Sequence, residues 1–126
     1  MFVNRIYCLM LVTLLLVYCG CSKGLPVGEV TGTVTYQGTP VPFAAVEFSP
    51  VGEGKSSLGW TDVNGEYTAM YTLSQEGALI GLHKVSLRTY AKEGQSAAPV
   101  PPEYSGKTAK EFEIKPGSNQ LDIAIE

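Results

Sequence analysis

The sequence predicts an all-β fold, a single-domain antiparallel β-sandwich of about seven strands, and three observations carry that expectation. From residue 29 onward, apolar and polar residues alternate with a period of two. No stretch with helical spacing in this region is free of glycine or proline. Gly and Pro clusters close each alternating run after a few residues, which keeps the strands short.

The elements follow in order. "EVTGTVTY" sets Val30, Gly32, Val34 and Tyr36 on one face and Thr31, Thr33 and Thr35 on the other, as a half-buried strand requires. "QGTPVPF" is a turn, because Gly38 tolerates positive φ and Pro40 and Pro42 withhold ladder donors. "AAVEFSP" resumes the alternation with Ala44, Val46 and Phe48 on one side, and Pro50 ends it. "SLGWTDVNGEYTAMY" reads as a hairpin, with Leu58 and Trp60 incoming, Asp62 to Gly65 turning, and Tyr67, Ala69 and Tyr71 outgoing.

"GLHKVSLRTY" places His83, Val85 and Leu87 on one face and Lys84, Ser86 and Arg88 on the other. A long proline-bearing connection, "AKEGQSAAPVPPEYSGK", is expected to bridge one sheet to the other, its prolines lowering the entropy lost on ordering. "KEFEIK" points Phe112 and Ile114 inward, and "NQLDIAIE" does the same with Leu121, Ile123 and Ile125. Pro116 and Gly117 turn between them.

The chain in front of this domain has a different character. Arg5 supplies a positive charge, and the thirteen residues from Ile6 to Tyr18 carry none. A bilayer-spanning helix needs about 20 apolar residues and a secretory leader roughly 7 to 15, so the run is expected to be a signal peptide, residues 1–20. Cleavage before Cys21 leaves the small Gly20 at the end of the leader. The passage "LLLVYCGCSKG" thus resembles a bacterial lipobox, with Tyr18 where that motif usually has Leu. The resemblance implies a diacylglycerol thioether on Cys21, an acylated amine, and a membrane anchor to which each buried CH₂ contributes about 0.8 kcal/mol. Residues 21–28 are then a short lipidated tether, and residues 29–126 the β-sandwich domain.

Cysteine arithmetic follows from that processing. Cys8 and Cys19 leave with the leader and Cys21 becomes a thioether, so the mature domain keeps no thiol for a disulfide, a metal or a nucleophile. Nine basic residues stand against twelve acidic ones, and Arg5 is lost with the leader. This mildly acidic balance, without a basic patch, argues against a nucleic-acid partner.

Several segments together resemble a known family. "VTGTVTYQGTPVPFAAVEFSP", "GWTDVNGEYT", "GLHKVSL" and "VPPEYSGKTAKEFEIKPGSNQLDIAIE", in that order behind a lipobox-like leader, are similar to the carboxypeptidase regulatory-like, transthyretin-related β-sandwich in its small planctomycete-type lipoprotein form. The resemblance runs from about Val27 to the C-terminus and implies a Greek-key, prealbumin-like topology. It also implies a non-catalytic accessory or interaction module.

Candidate chemistry is sparse. His83 is the sole histidine, so any serine triad must use it, yet its parity points it toward the core beside Val85 and Leu87, and no G-x-S-x-G elbow is present. Asp62 and Asn64 are spaced like the start of a calcium loop, but position twelve, where a bidentate Glu is needed, is Leu73. A turn in which Asp62 caps neighbouring amides accounts for the same residues. Trp60, Tyr67 and Tyr71 are possible ligand-contact aromatics on which sugar rings stack, set against the plainer expectation that they fill the core between sheets. Tyr36, Tyr90 and Tyr104 stand at the ends of alternating runs or in the long connection, where parity alone does not secure a face. "APVPPEY" has polyproline character. Glu111 and Glu113 share a strand face without marking a glycosidase.

The functional expectation is therefore a lipid-anchored cell-envelope structural or binding module without catalytic activity and without a cofactor or metal. It would be periplasmic or surface-exposed and would contact an envelope protein or polysaccharide. The alternatives are a hydrolase using His83 with a nearby carboxylate, and a transthyretin-like small-ligand carrier.

Overall fold

A computed structural model describes residues 26–106 and 109–126 of the chain. The expected leader, Cys21 and most of the tether lie outside the described residues. The strands, in chain order, are β1 (Val27–Tyr36), β2 (Thr39–Pro40), β3 (Ala45–Pro50), β4 (Ser57–Trp60), β5 (Glu66–Thr68), β6 (Ala78–Leu79), β7 (Gly81–Arg88), β8 (Glu111–Ile114), β9 (Ser118–Gln120) and β10 (Ile123–Ile125). A single 3₁₀ turn, Pro102–Tyr104, interrupts the long connection. Among the described residues no helix is long and apolar enough to cross a membrane.

Two sheets, of six and four strands, form the expected β-sandwich. In the larger sheet β1 is the spine. Thr31 pairs with both Thr68 of β5 and Gln120 of β9, so those strands flank β1 on opposite edges. β6 takes up its N-terminal end, and β2 and β10 its C-terminal end. Gln37 and Gly38 join β1 to β2 with φ of 49° and 78°, the pair of positive values that a tight primed hairpin turn requires. β9 and β10 run parallel to β1, and the other partners of β1 run antiparallel. The smaller sheet, in the order β4-β3-β7-β8, is antiparallel throughout.

Three connections depart from the expectation. β4 and β5 do not form one hairpin but lie in different sheets, joined at their shared edge by the reciprocal backbone hydrogen bonds of Leu58 and Met70, 3.1 and 3.0 Å. Pro116 and Gly117 likewise carry the chain from one sheet to the other. The long connection after β7, by contrast, returns to the same sheet, because β8 pairs directly with β7. It closes over the core instead: Tyr104 is buried, and Ala98 and Val100 pack against the cluster.

The core is built from the inward row of each strand. Val30 and Val34 of β1, with Ile123 and Ile125 of β10 beside them in the larger sheet, face Val46 and Phe48 of β3, Val85 and Leu87 of β7 and Ile114 of β8 in the smaller. Phe48 is its hub, with ring centroids at 6.3 Å from Tyr67, 6.4 Å from Phe112 and 6.5 Å from His83. These edge and tilted contacts are the geometry that aromatic quadrupoles favour.

The inward row of β1 contains two glycines for a specific reason. A Cβ at Gly28 would strike the Lys115 carbonyl, and one at Gly32 would drive into the Leu121 carbonyl oxygen. Both positions let the C-terminal segment pass close over β1. Opposite Gly32 the parallel ladder breaks between β9 and β10, and the Asp122 side chain substitutes for the missing acceptor, taking the Thr33 N–H at 2.9 Å and the Thr33 hydroxyl at 3.2 Å. Asn119 secures the preceding turn, accepting from Lys115 N at 2.9 Å and donating to Glu29 O at 3.0 Å.

The sandwich has two distinct ends. At one, Ile80 N donates to the carbonyl of Pro26, the first described residue, at 3.1 Å and Val51 N to Leu82 O at 2.9 Å. At the other, Thr61 N donates to Ala44 O and Val34 N to Gly65 O, at 2.9 and 2.8 Å. Most of the length of β1, about 30 Å at the usual rise of a strand, separates them.

Candidate functional site

Exposed aromatic side chains gather at the end far from Pro26. Trp60, at the C-terminal end of β4, is 53% exposed and therefore does not fill the core as expected. The physical reason is its neighbour: Ser57 and Gly59 form the inward row of β4, and Leu58 and Trp60 the outward one. Gly59 is inward because Tyr67 occupies the space beside it, where a Cβ would stand only 2.7 Å from Tyr67 Cδ2.

Tyr90 joins Trp60 from beyond β7. Their rings stack with centroids 5.8 Å apart and planes 26° from parallel. Ala45 lies between the strands that carry them, paired with Trp60 on one side and Arg88 on the other. Although it occupies the outward row, Ala45 is buried. Beside it, Arg88 donates to Glu47 at 3.1 Å, an exposed pair of modest worth.

Phe43 completes the cluster, with its ring exposed and Lys92 Nζ 5.4 Å above the ring centroid. Its φ is 59°, a left-handed conformation that a bulky residue adopts only when its surroundings impose it. Buried Thr61 imposes it. The Thr61 hydroxyl donates to Val41 O at 2.6 Å and accepts from Ala44 N at 2.8 Å, while the Thr61 carbonyl accepts from Phe43 N at 3.1 Å. This clamp on the corner between β2 and β3 leaves the Phe43 ring on the outside.

Next to Trp60 an open groove of about 680 Å³ crosses from the edge of β4 to the outer face of β1. Trp60, Leu58 and Met70 supply its apolar wall, and Thr31, Thr33, Thr68, Gln120, Asp62 and Glu66 its polar side. The volume falls in the range of small-ligand sites, roughly 300 to 1,000 Å³. A flat exposed indole beside hydroxyl, amide and carboxylate groups suits a ligand with an apolar C–H face and a rim of hydroxyls.

Tyr67 also lines the groove but is buried, as is Tyr71, so neither joins Trp60 in an exposed aromatic platform. The Tyr67 hydroxyl donates to Leu121 O at 2.6 Å. Burial, reinforced by the Asp122 carboxylate and by Tyr104, pushes its phenol well above the ordinary value of 10.0. Tyr71 lies under Lys55, whose Nζ is 5.6 Å from the ring centroid.

His83 is fully buried, with Nε2 hydrogen-bonded at 2.6 Å to the Leu79 carbonyl, which fixes Nε2 as the donor. Its Nδ1 and the Ser57 hydroxyl are buried with no hydrogen-bond partner among the described residues. Asp62 caps its own turn, one carboxylate oxygen accepting from Asn64 N at 2.8 Å and Glu66 N at 3.0 Å, as the turn reading expects. Glu111 is opposite Lys84 and Glu113 opposite Leu82 in the β7–β8 ladder. Cys21 lies outside the described residues.

Two members of the cluster escape sequence reasoning. Tyr90 continues the parity of Lys84, Ser86 and Arg88, a signal that points outward and was available in the pattern. Phe43 sits among prolines that erase the alternation, and its outward setting depends on Thr61, eighteen residues away. Comparison with protein-family models, with curated proteins and with solved structures finds no match to this chain.

Proposed function

We propose that this protein is a non-catalytic binding module of the bacterial cell envelope, held to a membrane through lipid on Cys21 and binding a polysaccharide along the Trp60 groove. The domain fits the carboxypeptidase regulatory-like lipoproteins that the sequence resembles, in which the sandwich serves as an accessory unit. One observation carries the ligand class: an exposed indole, stacked on Tyr90, forms the wall of a groove whose other side is threonine hydroxyls, Gln120 and two carboxylates. Sugars are held by this combination, an aromatic face for the ring and directional polar groups for its hydroxyls. The Trp60 wall of the groove also lies toward the end opposite Pro26, so a short N-terminal tether leaves that wall turned away from the anchoring membrane.

His83 gives little support to a hydrolase, because it is buried and its Nε2 is committed to a backbone carbonyl. The test has two arms. The full chain, expressed in a bacterial host with a lipoprotein pathway, is expected in the membrane fraction, and Cys21→Ser is expected to release it. The purified domain is expected to cosediment with insoluble envelope polysaccharide and to lose about fivefold in retention on Trp60→Ala, the loss of a stacking contact of about 1 kcal/mol. Retention of Trp60→Ala equal to that of the parent overturns the groove assignment, and capture of an envelope protein instead of polysaccharide overturns the ligand class.

A further inference from the structure

The exposed hydrophobic residues differ in kind between the two ends. At the distal end the large ones are mainly aromatic, Phe43, Trp60 and Tyr90; at the Pro26 end, Val51, Ile80 and Leu82 are aliphatic and 51%, 38% and 42% exposed. The backbones of these three lie together. Val51 N donates to Leu82 O, Gly81 alone separates Ile80 from Leu82, and Ile80 N donates to Pro26 O. The patch therefore borders Pro26, five residues after Cys21 in the chain.

We infer that this patch seats the domain directly on the bilayer, with Val51, Ile80 and Leu82 in the lipid interface and the Trp60 groove facing away from it. The inference rests on the lipid-anchor reading of Cys21. The occupant is set by chain length. Cys21 and Pro26 are five residues apart, and an extended chain spans at most about 3.6 Å per residue, so Pro26 stays within about 18 Å of the acylated sulfur. Ile80 is bonded to Pro26, and Leu82 and Val51 follow it in the ladder, so the patch stays on the side of the domain nearest the anchor. Aliphatic side chains gain from partition into an acyl boundary, whereas a sugar ligand would have no exposed aromatic face there to stack on. Glu53 and Lys55 on one flank, and Lys84 and Glu113 on the other, carry both signs of charge, so the seating relies on apolar burial rather than on anionic headgroups.

The test uses the full lipidated chain reconstituted in vesicles with and without brominated acyl chains, which quench indole fluorescence at short range. In the parent the single Trp60 reports the distal end. In a Trp60→Phe background, Leu82→Trp and, separately, Val51→Trp report the proximal end, with folding checked by circular dichroism. The expected result is at least twofold quenching for both proximal reporters and little for the parent. Pelleting with vesicles but equal, weak quenching at both ends overturns the seating while leaving the anchor intact. Loss of pelleting altogether, matched by an unchanged Cys21→Ser protein, overturns the anchor and the seating with it.

Discussion

The Tyr67 hydroxyl donates to the carbonyl of Leu121 at 2.6 Å, at the point where the parallel ladder along β1 breaks between β9 and β10. One phenol thereby ties β5 to the far edge of its sheet while its ring supports Phe48 in the core, 6.3 Å away. Tyr67→Phe keeps the ring and removes the bond, leaving the Leu121 carbonyl short of a partner. A loss of about 1 to 2 kcal/mol is expected in denaturant unfolding.

The same residue makes the fold sensitive to alkali. Burial holds the Tyr67 proton in the folded state beyond the ordinary value of 10.0, whereas the unfolded chain releases it there. Above that pH the unfolded state binds fewer protons, so stability is complete below about pH 10 and falls as pH rises, by up to about 1.4 kcal/mol per unit. Tyr67→Phe is expected to flatten this alkaline slope. An identical slope in the variant would assign it to other groups.

Gly32 has no room for a side chain. Gly32→Ala pushes a Cβ into the Leu121 carbonyl and against the Tyr67 hydroxyl, and a cost of about 3 kcal/mol is expected by thermal or denaturant unfolding. Gly52→Ala is the matched control, since nothing lies within 4 Å of its Cβ, and it should fall within about 0.5 kcal/mol of the parent.

Thr61 holds the corner that displays Phe43. Thr61→Val preserves shape but removes the donor to Val41 O and the acceptor for Ala44 N, both buried. The expected loss is about 2 to 3 kcal/mol, together with faster amide exchange at Ala44. Thr61→Ser, which keeps the hydroxyl, should recover most of it.

Asp62 organises its turn through a single carboxylate oxygen. Asp62→Ala frees the Asn64 and Glu66 amides and is expected to cost about 1 kcal/mol, with Asp62→Asn close to neutral because its carbonyl still accepts. Exchange rates of those two amides provide the check.

Much of the architecture was legible in the chain. Period-two alternation in "EVTGTVTY" and "GLHKVSLRTY" specified which residues of β1 and β7 face inward, including His83, because pleat geometry gives successive side chains opposite faces whatever the strand packs against. The turn chemistry of Gly38 and of Asp62 to Gly65 was equally local, being a matter of φ and of side chains reaching amides two to four residues away. The candidate site was not local. Hydrophobicity alone assigns Trp60 to the core, and only the crossing of Tyr67 beside Gly59 reverses the faces of β4. Likewise, nothing near Phe43 or Pro116 in sequence states that Thr61 clamps one corner or that the chain changes sheets at the other. Strand character is a property of neighbouring residues, whereas the choice of which face is covered belongs to contacts made across the whole chain.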